Sequence, residues 1–382
     1  MSGFGSAISE HPVSAIATGE VVGAVLETVG ESPGLAVCFV TPGHAGAFED
    51  VTKAINDILH PDVLIGAVAS SVVGPGREVE KGPAISLWAT SEGVYSPVHL
   101  SVADDGLSGW PELPFEPETL ILIGDPFSFP AEDFLLWIDE NHPRMSVVGG
   151  MASAARVAGA NSIVLGTKIH RSGAVGALVG PGVEITAVVS QGSKPFGRPF
   201  VVTRSDRNVI YELAGKPALE RLVAQASADL SEDDVELLAS GGLQIGRVMD
   251  EHLEEFATGD FLIRNVIGTD PKSGAIAVGD VVPVGVTVQF HLRDAVAADE
   301  DLDIHLAGRD AEAALLFTCN GRGAGLFGSP DHDAGAIVDH LGPIPTSGFF
   351  AAGEIGPVGG RNFLHGFTAS MALFRSASTT VR

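Results

Sequence analysis

The chain has 382 residues, 45% of them hydrophobic, and a mean hydropathy of +0.28. That length predicts two domains with sizeable cores, while no apolar run reaches the roughly 18 residues of a membrane span. A formal net charge of −26, with 48 acidic against 22 basic residues, excludes a nucleic-acid or anionic-lipid surface, which needs clustered Lys and Arg. Two cysteines, Cys38 and Cys319, give no disulfide framework. Met1 to Pro12 lacks a basic segment followed by a hydrophobic one, so a cytoplasmic location and no membrane insertion are expected.

A lead-in strand over Phe4–Ile8 and a helix over Ala15–Val29 come first, the helix showing a loose 3.6-residue pattern of Ile16, Val22, Ala24, Val25 and Val29. Three similar stretches follow at wide intervals. The first has a strand Leu35–Phe39, a Gly43–Gly46 loop, a helix Phe48–Leu59, Pro61 and a strand Leu64–Ser70. Its helix carries an apolar stripe of Phe48, Val51, Ile55, Ile58 and Leu59. Strands are also expected over Ala84–Ala89 and Val98–Val102, followed by a loop over Ser101–Pro117 rich in Asp, Gly and Pro. The second repeat has a strand Leu120–Ile123, an Asp125–Phe127 loop, a helix Ala131–Asn141, Pro143 and a strand Val147–Ser153.

Short strands with glycine turns are expected over Ser162–Leu165, Ala174–Val179 and Val183–Val189, and a loop over Ser190–Pro199. Phe200–Glu212 reads as strands about a turn at Asp206–Asn208. Pro217 opens a helical region near Leu219–Ala228, and Ser231 before three acids is the N-cap of another helix. Phe261–Ile267 and Ala275–Val278 flank a turn, and Val286–Arg293 alternates apolar with polar. Asp294–Asp303 is an acidic helix start. The third repeat has a strand Leu315–Phe317, a loop Cys319–Gly323, a helix Asp333–Leu341, Pro343 and a strand Ser347–Glu354. The expected fold class is α/β (mixed α+β): layered mixed β-sheets flanked by helices, built from pseudo-repeated βαβ-like units. The expected domains are 1–215 and 216–382.

Chemistry-bearing residues concentrate in the third repeat. Parallel neighbouring strands bring Cys319 and Glu354 to one sheet edge, the place where α/β proteins bind ligands. Arg322 or Arg361 would hold an acid group through paired hydrogen bonds, Glu354 would receive an ammonium, and Asn320 and Asn362 would complete the site; the competing expectation is a structural bridge from Arg322 or Arg361 to Glu354. Cys319 as a nucleophile needs a base, and neither His332, His340 nor His365 stands at a diagnostic spacing. His44, between glycines in the equivalent first loop, is a further ligand-lining candidate and an unforced choice for haem iron. Asp331-His332-Asp333 looks metal-like, but Asp333 is better read as a helix cap. His252 and Glu255 form an incomplete zinc pattern, and Gly241–Gly246 fits no phosphate-cradling spacing. No metal is expected.

Gly-Asp-Phe-Leu-Ile-Arg-Asn-Val at 259–266, Ala-Val-Gly-Asp at 277–280, Cys-Asn-Gly-Arg-Gly at 319–323 and Gly-Phe-Phe-Ala-Ala-Gly-Glu-Ile-Gly-Pro at 348–357, with Asn362, resemble the FIST C domain. Leu64–Ser70 and Val148–Ala152 resemble the FIST N domain. The resemblance spans about residues 30–375 and implies a sensory module that binds a small ligand, amino acids having been proposed. It also implies an unidentified signalling partner protein, since no kinase, cyclase or receiver segment is recognised here. The stretch before residue 30 leaves no room for the F-box found in eukaryotic relatives. Haem sensing, as in some members, and a thiol-dependent hydrolase or transferase using Cys319 are the alternatives. A homo-oligomer is compatible with all of them.

Overall fold

The computed structural model describes residues 3–103, 106–113, 115–253, 256 and 258–377. Contacts divide the chain into two compact units, one of Met1–Ser190 with Asp303–Arg382, the other of Gln191–Leu302. No single cut near residue 215 separates them, because the chain leaves the first unit and later returns to it.

The first unit carries all three repeats. Each contributes a leading strand, a crossover helix and a parallel return strand. These are Leu35–Val40, Phe48–Leu59 and Val63–Val68; Thr119–Gly124, Ala131–Asn141 and Ser146–Met151; and Ala313–Cys319, His332–Leu341 and Thr346–Ala351. Each pair sits at the middle of its own mixed sheet, flanked by antiparallel strands. The inner faces of the three sheets share one core, in which Phe39, Phe317 and Phe349 touch and Ile121, Ile123 and Val148 close the third side. Helices cover the outer faces. Helix Ser14–Val29 and helix Phe48–Leu59 pack on the first sheet, and helix Ala131–Asn141 on the second.

One glycine per repeat explains the shared sequence ending. In register, Cys38 faces Gly66, Leu122 faces Gly149 and Leu316 faces Gly348. A Cβ at these glycines would stand 1.9, 1.8 and 1.8 Å from the carbonyl oxygen of the facing residue. The return strand approaches its parallel neighbour so closely that any side chain would strike backbone. Counting onward from this anchor, Thr41, Asp125 and Cys319 occupy one position, and His44, Ser128 and Arg322 another.

The expected elements appear with shifted ends. Helix Phe48–Leu59 and helix Ala131–Asn141 have the expected bounds, whereas Ile58 and Ile16, expected to be buried, are exposed. The third return strand ends at Ala351, earlier than expected. Gly353, at φ +150°, turns the chain, and Glu354 opens a new strand, Glu354–Val358, in the second repeat's sheet, where it pairs with Gly150.

The second unit is a closed antiparallel barrel. Strands Ser193–Asp206, Thr287–Arg293, Leu243–Val248, Phe261–Asp270, Ala275–Val278 and Val209–Leu213 pair in that order, and the last returns to the first. Closure removes the open sheet edges. Phe196, Phe200, Ile245, Ile276, Val288 and Phe290 fill it, and helix Ala218–Asp229 plugs it with Ala218 and Leu222. The loop expected over Ser190–Pro199 is largely strand. Its Gly and Pro residues are accommodated by a register break between Phe196 and Phe200, where Gly197 has φ +66°. Ser231 caps the next helix in a reciprocal box with Asp234, as expected.

Candidate functional site

The leading strand of the third repeat ends at Cys319, and its turn places Arg322 under the N-terminus of helix His332–Leu341. Arg322 and Asp333 are both buried. Arg322 Nε donates to Asp333 Oδ2 and Nη2 to Oδ1, each at 2.8 Å. Asp333 also accepts from Thr318 Oγ1 at 2.5 Å, and His332 Nδ1 lies 3.0 Å away. Burial alone would raise the Asp333 carboxyl, but the Arg322 charge and these hydrogen bonds prevail and hold it well below the usual carboxylate range. Arg322 correspondingly stays charged against the cost of its own burial. Phe327 covers the guanidinium at 5.1 Å and is itself stacked on His332.

Asp333 is therefore the counter-ion of Arg322, and the helix cap expected of it comes from elsewhere. Glu78, in the hairpin Val72–Val79 that follows the first repeat and pairs with the third repeat's return strand, accepts from the N–H groups of Asp333 and Ala334 through Oε1, both at 3.0 Å. Asp331 returns a bond to the Glu78 N–H at 2.6 Å. Glu80, at the end of the same hairpin, accepts from Ala324 N–H at 2.8 Å. Burial, and then the negative charge of Asp333, push the Glu78 carboxyl up to about 7.

Glu354 stands on the other side of Cys319 and is fully buried. Its Oε2 accepts from Thr368 Oγ1 at 2.8 Å and Thr368 N–H at 3.2 Å. Its Oε1 has no N–H or O–H partner, and neither does Arg322 Nη1 find an acceptor. Burial pushes the Glu354 carboxyl up to about 8, against the smaller downward pull of Thr368, Cys319 and Arg322. Burial and the adjacent Glu354 raise the Cys319 thiol strongly, and Gly321 N–H donates to its Sγ at 3.4 Å. Cys38, buried in the first sheet, is pushed up to about 12 by burial.

Beside Cys319 the three return strands converge. Ser70 N–H donates to Ser153 Oγ at 3.0 Å, Ser70 Oγ donates to Asn320 Oδ1 at 2.8 Å, and Ser153 Oγ donates to the Phe350 carbonyl. Asn320 is exposed. Phe367 lies over Gly321, where a Cβ would stand 2.2 Å from its ring, and it holds a left-handed φ of +63°. That conformation costs a side-chain-bearing residue roughly 1 kcal/mol or more.

The structure thus brings Cys319, Asn320, Arg322 and Glu354 together and leaves the other expected residues apart. Arg361 and Asn362 lie at the far end of the hairpin that Glu354 opens: Glu354 faces His365, whereas Val358 faces Arg361. Four positions along a strand amount to roughly 13 Å. There Arg361 is exposed beside Asp139, with Nε 3.5 Å from Oδ2. Asn362 is spent on structure, accepting from Val147 N–H at 2.7 Å and donating to Asp139 at 2.8 Å and the Met145 carbonyl at 2.9 Å. Neither arginine forms the bridge to Glu354 that was the competing expectation. His44 belongs to the first repeat's strand end, buried and 2.8 Å from Ser14 Oγ; burial foremost lowers its pKa and keeps the ring neutral. His252 lies in a turn, and Glu255 falls outside the described residues. Among the described residues no three metal-ligating side chains converge, and no helix is long and apolar enough to cross a membrane.

Glu78, Thr318, Thr368 and Phe367 were not anticipated from the sequence. Thr318 adjoins Cys319, but nothing local marks Glu78, whose contact with Asp333 spans 255 positions.

The FIST N domain model matches residues 34–216 and the FIST C domain model residues 218–357. The chain belongs to the FIST family. FIST domains are sensory, signal-transduction domains. An uncharacterized protein of Mycobacterium tuberculosis strain H37Rv is 44% identical over 358 residues, covering 91% of this chain and 93% of the relative. An uncharacterized protein of Mycobacterium bovis is 42% identical over 359 residues, covering 91% and 92%. The boundary between the two FIST models, at 216–218, lies inside the barrel unit. The third repeat's strand ends, Cys319 and Glu354, fall in the FIST C match.

Proposed function

We propose that this FIST protein is a cytoplasmic sensor that binds a small polar metabolite, such as an amino acid, at the strand ends of the third repeat and signals through a partner protein. One observation carries the reading: two buried polar atoms of opposite character flank Cys319, Glu354 Oε1 with no N–H or O–H donor and Arg322 Nη1 with no acceptor. Leaving a buried polar atom unpaired costs on the order of 1–3 kcal/mol, so a ligand that satisfies both gains on that account. Glu354 would accept from the ligand's donor, Arg322 Nη1 would donate to its acceptor, Asn320 would stand at the rim and Cys319 at the floor. Arg361, Asn362 and His44 take no part in this site.

The thiol-enzyme alternative has less behind it, because burial and Glu354 both disfavour the thiolate that such chemistry requires. The test is a thermal-shift and native mass-spectrometry screen of polar metabolites against wild type and Glu354→Ala. A ligand that stabilises wild type and loses its effect in the variant supports the site. Equal stabilisation of both removes it, and rapid iodoacetamide labelling of Cys319 near neutral pH would favour the enzyme.

A further inference from the structure

Glu354 is a fully buried carboxyl. Its Oε2 is engaged by Thr368 and its Oε1 by no N–H or O–H donor. The nearest guanidinium, Arg322, has Nε and Nη2 committed to Asp333. The groups facing Glu354 can be named element by element. The leading strand and its turn present Cys319 and Arg322, with Asp333 and then Glu78 behind them. The partner strand of the hairpin presents His365, whose Nε2 is 3.0 Å from the Gly356 carbonyl. The neighbouring strand on the other side presents Gly149 and Gly150, which have no side chains, and the last strand presents Thr368 and Ser370. Arg322 and Asp333 cancel, so an ionised Glu354 would be an unbalanced buried charge, which is expensive. Glu354 avoids that cost by keeping its proton, in line with the raised Glu354 carboxyl.

Resting on the site reading above, we propose that Glu354 exchanges its proton for the ammonium group of the ligand, so that the site selects small protonated amines and couples their occupancy to pH. The exchange balances. Before binding there are a neutral carboxylic acid and a free ammonium ion; afterwards there is a carboxylate–ammonium pair, and the proton has left to solvent. No electrons move. The net charge around Glu354 is the same in both states, so burial of the ligand's charge is compensated where it sits. A hydroxyl in place of the ammonium cannot drive the exchange and forms only a neutral hydrogen bond, roughly half as strong as a charge-assisted one. The apparent affinity for an amine should rise about tenfold per pH unit below about pH 8 and level off above it.

The experiment is isothermal titration calorimetry of the full chain with the proteinogenic amino acids, ethanolamine and ethylamine, each against its hydroxyl counterpart where one exists, such as L-alanine against L-lactate. Titrations in buffers of different ionisation enthalpy count protons. Near pH 7 the expected result is release of roughly 0.9 proton per amine bound, the protonated fraction of an acid titrating near 8. Release should vanish toward pH 9, and the hydroxyl analogues should bind at least tenfold more weakly. The wild-type titrations need no variant; Glu354→Gln, if folded by circular dichroism, should bind amines with no proton release. Amine binding without proton release, or equal binding of amine and hydroxyl partners, overturns this inference and leaves the site reading standing. Failure of every probe to bind overturns both.

Discussion

Replacing Asp333 with Ala tests whether the third repeat is organised around a buried ion pair. The wild-type carboxylate takes two 2.8 Å bonds from Arg322 and one from Thr318, with side-chain exposures of 0% for Arg322 and 2% for Asp333. Deleting it strands a guanidinium whose third nitrogen, Nη1, is already unpaired, and breaking such a pair costs about 3–5 kcal/mol. The orphaned Thr318 hydroxyl and the lost first-turn acid add about 1 kcal/mol or more. Against a total stability of about 5–15 kcal/mol, the single variant should be severely weakened. Arg322→Met with Asp333→Leu removes both charges and should recover most of the loss, since apolar pairs often replace buried ion pairs at little cost. Urea melts of wild type, both singles and the double give the coupling energy. A single loss below about 1 kcal/mol, or a double variant as weak as the sum of its singles, would refute the account.

Two further outcomes follow from the same geometry. Glu78 has its folded-state carboxyl raised to about 7 from 4.5, so its stabilising effect is full below about pH 4.5 and is lost as pH rises through about 7. Glu78→Gln keeps an acceptor for the Asp333 and Ala334 N–H groups but cannot ionise. Its stability relative to wild type should climb by up to about 1.4 kcal/mol per pH unit across that window, and parallel pH profiles in chemical denaturation would refute this. Gly348→Ala would set a Cβ 1.8 Å from the Leu316 carbonyl oxygen, a backbone clash that should exceed the roughly 3 kcal/mol of ordinary overpacking. Gly23→Ala, in a helix with nothing within 4 Å of the new carbon, should instead gain about 0.5–1 kcal/mol; equal melting shifts for the two would defeat the repeat argument.

What could be read from the sequence were the local regularities. The crossover helices announced themselves through apolar spacing at Phe48, Val51 and Ile55, and the return strands through the glycine that backbone approach demands. The α/β layering followed from both. What could not be read depends on which sheet a strand joins. Glu354 looked like the end of a third return strand because Ala351-Ala352-Gly353 continues the pattern, but the turn at Gly353 carries it into the second repeat's sheet. That one displacement puts Glu354 beside Cys319 and sends Arg361 away along the hairpin. The barrel's closing strand was obscured by Pro195, Gly197 and Pro199, turn-forming residues that a register break can absorb. Asp333 was read as a cap because capping is local. Its actual partner, Arg322, follows a buried strand end, and the cap comes from the distant Glu78.

The three repeats differ in how their strand ends use polar side chains. At the first, Thr41 bonds to the Gly82 carbonyl and the Ala84 N–H, and His44 to Ser14. At the second, Asp125 accepts from Asn161 and Ser128. The second strand end spends its polar groups on holding the fold, and the first leaves His44 Nε2 unpaired. The third differs in leaving two atoms of opposite character unpaired, Arg322 Nη1 and Glu354 Oε1, where Cys319 and Arg322 stand at the positions of the others. It is also the end whose arginine, through Asp333 and Glu78, is bonded to the N-terminus of a helix that buries little apolar surface of its own, chiefly Ala334 and Ile337. A helix held by so few apolar contacts depends on its polar attachments. Helix His332–Leu341 is therefore the least independently anchored of the three crossover helices.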